Sequence, residues 1–154
     1  MNLTPRVRRI SLLIALLVLG GAGYAGYFAW QGMVGRQALA ETQLVSASLA
    51  SALERAGREN KRVLVEVAAI WCPSCHRLDR ELFTHPEVRR RITNDLVFAR
   101  LEHDSVEGKA FQARVGARGF PTLWLVDPDG QGIKRLDLTF EPAAFLAQLK
   151  AIGL

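Results

Sequence analysis

Apolar positions recur with different periods along the 154 residues, and the changes of period divide the chain. Ile10 to Gly35 carries no charged residue over 26 positions. Its core, Ile10–Trp30, is long enough to cross roughly 30 Å of hydrocarbon as one helix. Residues 32–41 then read as a linker. From about Thr42 to Ala56, the positions Val45, Leu49, Ala52, Leu53 and Ala56 fall on one helical stripe, with Gly57 and Asn60 as its stop. Val63–Ala69 is almost continuously apolar, the pattern of a central strand covered on both faces. Cys75, Leu78 and Leu82 return to helical spacing, with Pro73 just inside the helix start. A short helix follows from His85-Pro86, with Val88 and Ile92 inward. Leu96–Leu101 predicts a strand, and Asp104 or Ser105 a cap with Glu107 near the third position. That helix carries Phe111 and Val115 and stops at Gly116. Pro121–Val126 predicts a strand, Asp127-Pro128-Asp129-Gly130 a turn, and Gly132–Leu138 the second strand of a hairpin. Pro142–Ile152 predicts a last helix with Phe145, Leu146, Leu149 and Ile152 inward. The order α-β-α-(α)-β-α-β-β-α predicts an α/β fold with a mixed central sheet and helices on both faces.

Charge adds a topology. The net charge is +5, but Arg6, Arg8 and Arg9 stand before the apolar run, and the remaining 17 basic residues face 15 acidic ones. A basic tail at 1–9 and a transmembrane anchor at 10–31 place the N-terminus in the cytoplasm by the positive-inside rule. Tyr24, Tyr27 and Trp30 fall where an interfacial aromatic belt would lie. A cleaved signal peptide has the same basic start and apolar run, and Ala38-Leu39-Ala40 resembles a cleavage site. Either way, residues 42–154 form one domain on the extracytoplasmic side, where thiols can be oxidised. The basic balance is not a nucleic-acid footprint, and Arg89-Arg90-Arg91 reads as a solvated helix face.

The only two cysteines lie in Trp71-Cys72-Pro73-Ser74-Cys75, directly after the apolar strand. If they open a helix, the first sulfur faces unpaired N–H groups and the positive end of the dipole. Such groups favour a thiolate, the form that attacks disulfides. His76 makes the same residues a CxxCH haem-attachment signature. A structural zinc site would need four ligands, which two cysteines and His76, His85 and His103 do not supply at ligand spacing. Two readings stand at this point: a redox-active Cys72–Cys75 disulfide that needs no metal and no further cofactor, and an attached haem. Glu66 in the middle of the β run is costly if left charged and unpaired. His76 itself reads as a solvated side chain, and Trp124 as plain core.

These residues resemble the thioredoxin superfamily over roughly Thr42 to Gly153. The resemblance rests on Val63–Cys75, on Gly119-Phe120-Pro121-Thr122 with its proline 46 residues beyond Cys75, and on Leu123–Gly130. With Phe83-Thr84-His85-Pro86-Glu87-Val88 it is most similar to the thioredoxin-like domains of bacterial envelope thiol reductases of the DsbD type. The resemblance implies a thioredoxin-like three-layer sandwich behind an N-terminal transmembrane helix. It favours dithiol chemistry over haem: Cys72 as the exposed attacking thiolate, Cys75 as the buried resolving thiol, and Glu66 as an acid relaying the Cys75 proton. Pro121 would be a cis proline facing the disulfide. Trp71, Pro73, Ser74 and Phe120 would contact substrate, with Phe120 offering backbone hydrogen bonds. It implies protein disulfides as substrates and a membrane thiol carrier of the DsbD/CcdA type as reductant. The location would be the bacterial cytoplasmic membrane, with the domain in the periplasm, serving cytochrome c maturation or envelope protein repair. Pro-Ser between the cysteines departs from the Gly-Pro of thioredoxins and leaves the potential open. The absence of the long helical insertion that oxidising DsbA-like proteins carry between CxxC and the cis proline points to a reductase or isomerase-type donor. A non-catalytic module that binds peptides or copper is the alternative from another class.

Overall fold

The computed structural model describes residues 5–154, so the first four residues of the basic tail lie outside it. Four strands, β1 (Arg62–Ala68), β2 (Leu96–Glu102), β3 (Thr122–Val126) and β4 (Ile133–Leu136), form one sheet in the order β2-β1-β3-β4. β1 and β2 are parallel, while β3 runs antiparallel to both β1 and β4. The helices are α1 (Pro5–Thr42), α2 (Leu49–Glu59), α3 (Pro73–Leu78), α4 (Pro86–Asp95), α5 (Val106–Val115) and α6 (Pro142–Ala151). A π-helical turn, Asp79–Phe83, prolongs α3 without a break.

Successive strand residues point to opposite faces, and both faces are covered. Leu64, Phe98, Leu123 and Leu125 pack under Leu78 of α3, Leu82 and Phe83 of the π-helical turn, Val88 and Ile92 of α4, and Phe145 and Leu149 of α6. Val63, Val65, Val67, Val97, Ala99, Leu101 and Trp124 pack under Ala52 and Ala56 of α2 and Phe111 of α5. Each fully buried Leu, Val or Phe contributes about 1.5–3 kcal/mol, which is why the central strands read as unbroken apolar runs. Glu66 and Arg100 break those runs on the α3 face.

One predicted helix start and one predicted capping box change. The helix expected from Thr42 begins at Leu49, because Ser48 caps it by accepting from Ser51 N–H at 3.2 Å, and Val45 is left 78% exposed. Residues 43–48 instead run along the outer edge of β2: Ala47 N–H donates to the Phe98 carbonyl at 3.3 Å, and Arg100 N–H donates to Ser46 Oγ at 2.9 Å. That edge would otherwise be unpaired. Ser105 caps α5 through Gly108 N–H at 2.9 Å, but Glu107 closes no capping box; its Oε1 accepts from Leu49 N–H at 2.8 Å, joining α5 to α2.

The largest correction concerns residues 32–41, read as a linker. They are the last turns of α1, and the helix lies against α3 and the π-helical turn. Gly35 is buried at that contact: a Cβ there would run into the Ile70 carbonyl oxygen and His76 Nε2. Ala38 and Thr42 are fully buried, and Glu41 pairs with Arg80 Nε at 3.1 Å. Small residues at 32, 35 and 38 read as linker composition, yet they are what lets two backbones approach. α1 is the one described helix long and apolar enough to cross a membrane.

Candidate active site

β1 ends at Ala68, and the chain turns into α3 with Cys72 at the N-cap. Extended backbone at Cys72 (φ −87°, ψ 116°) aims its sulfur back over the first turn. Cys72 Sγ accepts the Cys75 N–H at 3.3 Å and lies 3.1 Å from Ser74 Oγ. Pro73 occupies the first helical position, where a missing N–H costs nothing. Both thiols are free. They are unequal: Cys72 keeps 5% of its surface beside exposed Pro73 and Ser74, whereas Cys75 has none. Burial pushes the Cys75 thiol up strongly, and its hydrogen bond to Cys72 and the negative charge of Cys72 and Glu66 add to this. Cys75 therefore holds its proton, and Cys72, expected to be exposed, is itself buried apart from that sliver of surface, because Trp71 and Phe120 pack against it.

Aromatic rings frame the outer sulfur. Trp71 meets Phe120 edge-on at 5.5 Å, His103 at 5.5 Å, and Phe28 of α1 at 5.3 Å. Trp71 and Phe120 pack on the cluster of Ala68, Ala69, Cys72 and Cys75. The Phe120–Pro121 peptide is cis, and Pro121 is buried at the entry to β3.

Beneath the cysteines lies a buried charge cluster. The parallel register sets Glu66 of β1 beside Arg100 of β2. Arg100 Nη1 donates to Glu66 Oε1 and Oε2 at 3.2 and 3.0 Å, and to Asp79 Oδ1 and Oδ2 at 3.0 and 3.2 Å. Glu66 and Asp79 are fully buried, and Arg100 is nearly so. These four contacts use one nitrogen, Nη2 has no partner, and Nε reaches Glu102 Oε1 at 3.4 Å, so toward Glu66 and Asp79 the guanidinium acts as a point charge and not as a fork. One cation faces three carboxylates, two of them fully buried. Burial pushes Glu66 up to about 8, with Asp79 adding to the rise and Arg100 opposing it. Asp79 is raised for the same first reason, burial. Burial pulls Arg100 down, but its anionic neighbours outweigh this and raise it. Near neutrality the pocket therefore holds a proton it can exchange.

Residues 49–153 match the family described as thioredoxin-like domain. The chain belongs to that family. A DsbD thiol:disulfide interchange protein from Tatumella citrea is 29% identical over 153 residues, 96% of this chain but 26% of that protein. Protein disulfide-isomerase 1 of Dictyostelium discoideum is 36% identical over 67 residues, 42% of this chain and 18% of that one. The chain thus spans about a quarter or less of these curated relatives. In fold, it resembles a thioredoxin from Thermus thermophilus (TM-score 0.61, 24% identity, 71% of this chain and 86% of that one). It also resembles the oxidised C-terminal domain of Neisseria meningitidis DsbD (TM-score 0.57, 21% identity, 70% and 97%).

This thioredoxin-like domain brings most of the sequence-selected residues together. Cys72, Cys75, Trp71 and Phe120 share one cluster, and Glu66 reaches Cys75 electrostatically from below. His76 is not solvated: it is 4% exposed, and its Nε2 bonds the Ile70 carbonyl at 2.8 Å under Gly35. That nitrogen is committed, so the CxxCH motif does not fit haem ligation. Trp124 is core, with Nε1–H donating to Thr122 Oγ1 at 3.0 Å. Arg100, Asp79 and Phe28 escaped the sequence reading, and His103 entered it only as a candidate metal ligand and not as a ring beside Trp71. Arg100 carried a signal, a lone cation inside an apolar strand. Asp79 carried another, one turn beyond Cys75 on the same helix face.

Proposed function

We propose that this protein is a membrane-anchored thiol–disulfide oxidoreductase working as a reductase of protein disulfides. The observation that carries the reading is the unequal setting of the two thiols: Cys72 caps the helix beside exposed Pro73 and Ser74 and keeps a little surface, whereas Cys75 has none and burial holds its proton on. Cys72 as thiolate attacks a substrate disulfide, forming a Cys72–substrate disulfide and releasing one substrate thiolate. Cys75 then loses its proton to the Glu66–Asp79 pocket and attacks the Cys72 sulfur. The second substrate thiolate leaves, the Cys72–Cys75 disulfide forms, and two electrons have passed to substrate. A base near 8 suits a proton exchanged at neutral pH.

Trp71, Pro73, Ser74 and Phe120 form the surface around the outer sulfur, and an extended substrate segment lies along Phe120–Pro121. The uncharged helix and the arginines before it support a single-pass anchor in a bacterial cytoplasmic membrane, with the domain in the periplasm. A membrane thiol carrier of the DsbD/CcdA type resets the pair. Its substrates are envelope disulfides, in cytochrome c maturation or protein repair. The test is dithiothreitol-driven insulin reduction by the full chain in detergent. Activity lost in Cys72→Ser supports the reading, and unchanged activity in that variant refutes it.

A further inference from the structure

Helix α1 is not a tether. It runs unbroken from Pro5 to Thr42, so nothing flexible separates its membrane-crossing half from its docked half. Its side chains from Ile10 to Tyr27 are exposed, and several large apolar ones exceed half exposure. From Gln31 onward the helix is held on the domain: Gly35 lies against Ile70 and His76, Ala38 and Thr42 are buried, and Glu41 pairs with Arg80. Contact with the domain begins just past that exposed stretch, at half-buried Phe28, whose ring meets Trp71 at 5.3 Å.

The helix rise converts these contacts into a depth. Ile10 to Phe28 spans about 27 Å along the axis, against about 30 Å of hydrocarbon. Phe28 therefore reaches the outer boundary of the bilayer, beside Tyr24, Tyr27 and Trp30. Trp71 is there with it, and Cys72 is one Cα step of about 3.8 Å further along the chain. A groove between α1 (Trp30, Gln31, Val34) and α3 with the π-helical turn (His76, Arg77, Arg80, Glu81) starts at that boundary and reaches Pro73, the residue after Cys72.

We propose that α1 is a rigid mount holding Cys72 in the outer headgroup layer, where it exchanges disulfides with a thiol carrier embedded in the same membrane. This rests on the oxidoreductase reading and adds where the exchange happens. The cysteine of such a carrier meets Cys72 in the membrane plane: its thiolate opens the Cys72–Cys75 disulfide, and a second carrier thiol completes the two-electron transfer.

The test uses the full chain in phosphatidylcholine vesicles, with Trp30→Phe and Trp124→Phe leaving Trp71 as the sole tryptophan. Lipids brominated near the headgroup end of the chain should quench Trp71. A Gly/Ser insertion of about ten residues between Trp30 and Gln31 leaves the docked turns in place but frees the domain, and should restore the emission. A phosphatidylethanolamine bearing a dihydrolipoyl headgroup should reduce the oxidised native chain faster than the insertion variant, while dithiothreitol reduces both equally. Unquenched Trp71 in the native chain, or equal rates with the lipid dithiol, overturns the mount even if insulin reduction is normal. Lost insulin reduction with Trp71 still quenched overturns the oxidoreductase reading and with it the proposed exchange, while the depth stands.

Discussion

Replacing Arg100 by Met removes the one cation that faces Glu66 and Asp79. Both carboxylates are fully buried, and each is 3.0 Å from Arg100 Nη1 at its nearest oxygen. Removing one partner of a buried ionic cluster costs about 3–5 kcal/mol, a large share of the roughly 5–15 kcal/mol that holds such a domain folded. The loss depends on pH with a definite sign. A carboxyl raised in the fold keeps a proton that the unfolded chain gives up, so stability falls as pH rises through the window between the two values. For Glu66 in the native chain, that window runs from the ordinary value of 4.5 to about 8. Each such proton gives a slope of about 1.4 kcal/mol per pH unit. In Arg100→Met both acids lose their counterion, so the decline steepens and the variant is weakest at pH 8 and nearest to native at pH 5. Urea unfolding of the full chain in micelles, followed by tryptophan fluorescence, reads this directly. Arg100→Lys should recover most of the loss, because a single nitrogen makes all four contacts to the buried Glu66 and Asp79, and only the 3.4 Å Nε contact to half-exposed Glu102 goes unreplaced. An Arg100→Met penalty below about 1 kcal/mol at pH 8, or one equal at pH 5 and pH 8, refutes the reasoning.

Other outcomes follow from the same geometry. Glu66→Gln removes the exchangeable proton near 8; the decay of a Cys72 mixed disulfide should slow, and its inflection in that pH region should vanish in a stopped-flow profile. The variant should also be more stable than the native chain at pH 8, since one buried acid has gone. Gly35→Leu forces a side chain into the Ile70 carbonyl and should cost about 1–3 kcal/mol, read as faster proteolysis between α1 and α3. Titration in glutathione and dithiothreitol buffers, followed by Trp71 fluorescence, should place the pair near about −270 mV, as in thioredoxin. A value near about −120 mV would reverse the direction of electron flow.

Much of this was legible in the sequence, for physical reasons that differ by element. β1 and β2 read correctly because strands buried on both faces cannot hide a polar residue cheaply, and the same rule singled out Glu66. Cys72 and Pro73 read correctly because a helix start has few acceptable chemistries. The pattern failed where burial is supplied by backbone. Gly32, Gly35 and Ala38 look like linker because small residues contribute no hydrophobic period, yet a helix packs there. Val45 fell on a helical stripe by coincidence, since residues 43–48 are held by hydrogen bonds to β2 that no hydrophobic period encodes. Arg100 and Asp79 required the register of β1 on β2 and the π-helical turn, both tertiary facts.

The central claim is that Cys72 attacks and Cys75 resolves. Its most direct test is to incubate the full-length Cys75→Ser protein with an oxidised peptide substrate and map the adducts by mass spectrometry. The account predicts a stable disulfide between the peptide and Cys72, and no comparable adduct at Cys75 in the Cys72→Ser protein. Adducts of equal yield in both variants, or none on Cys72, would contradict it.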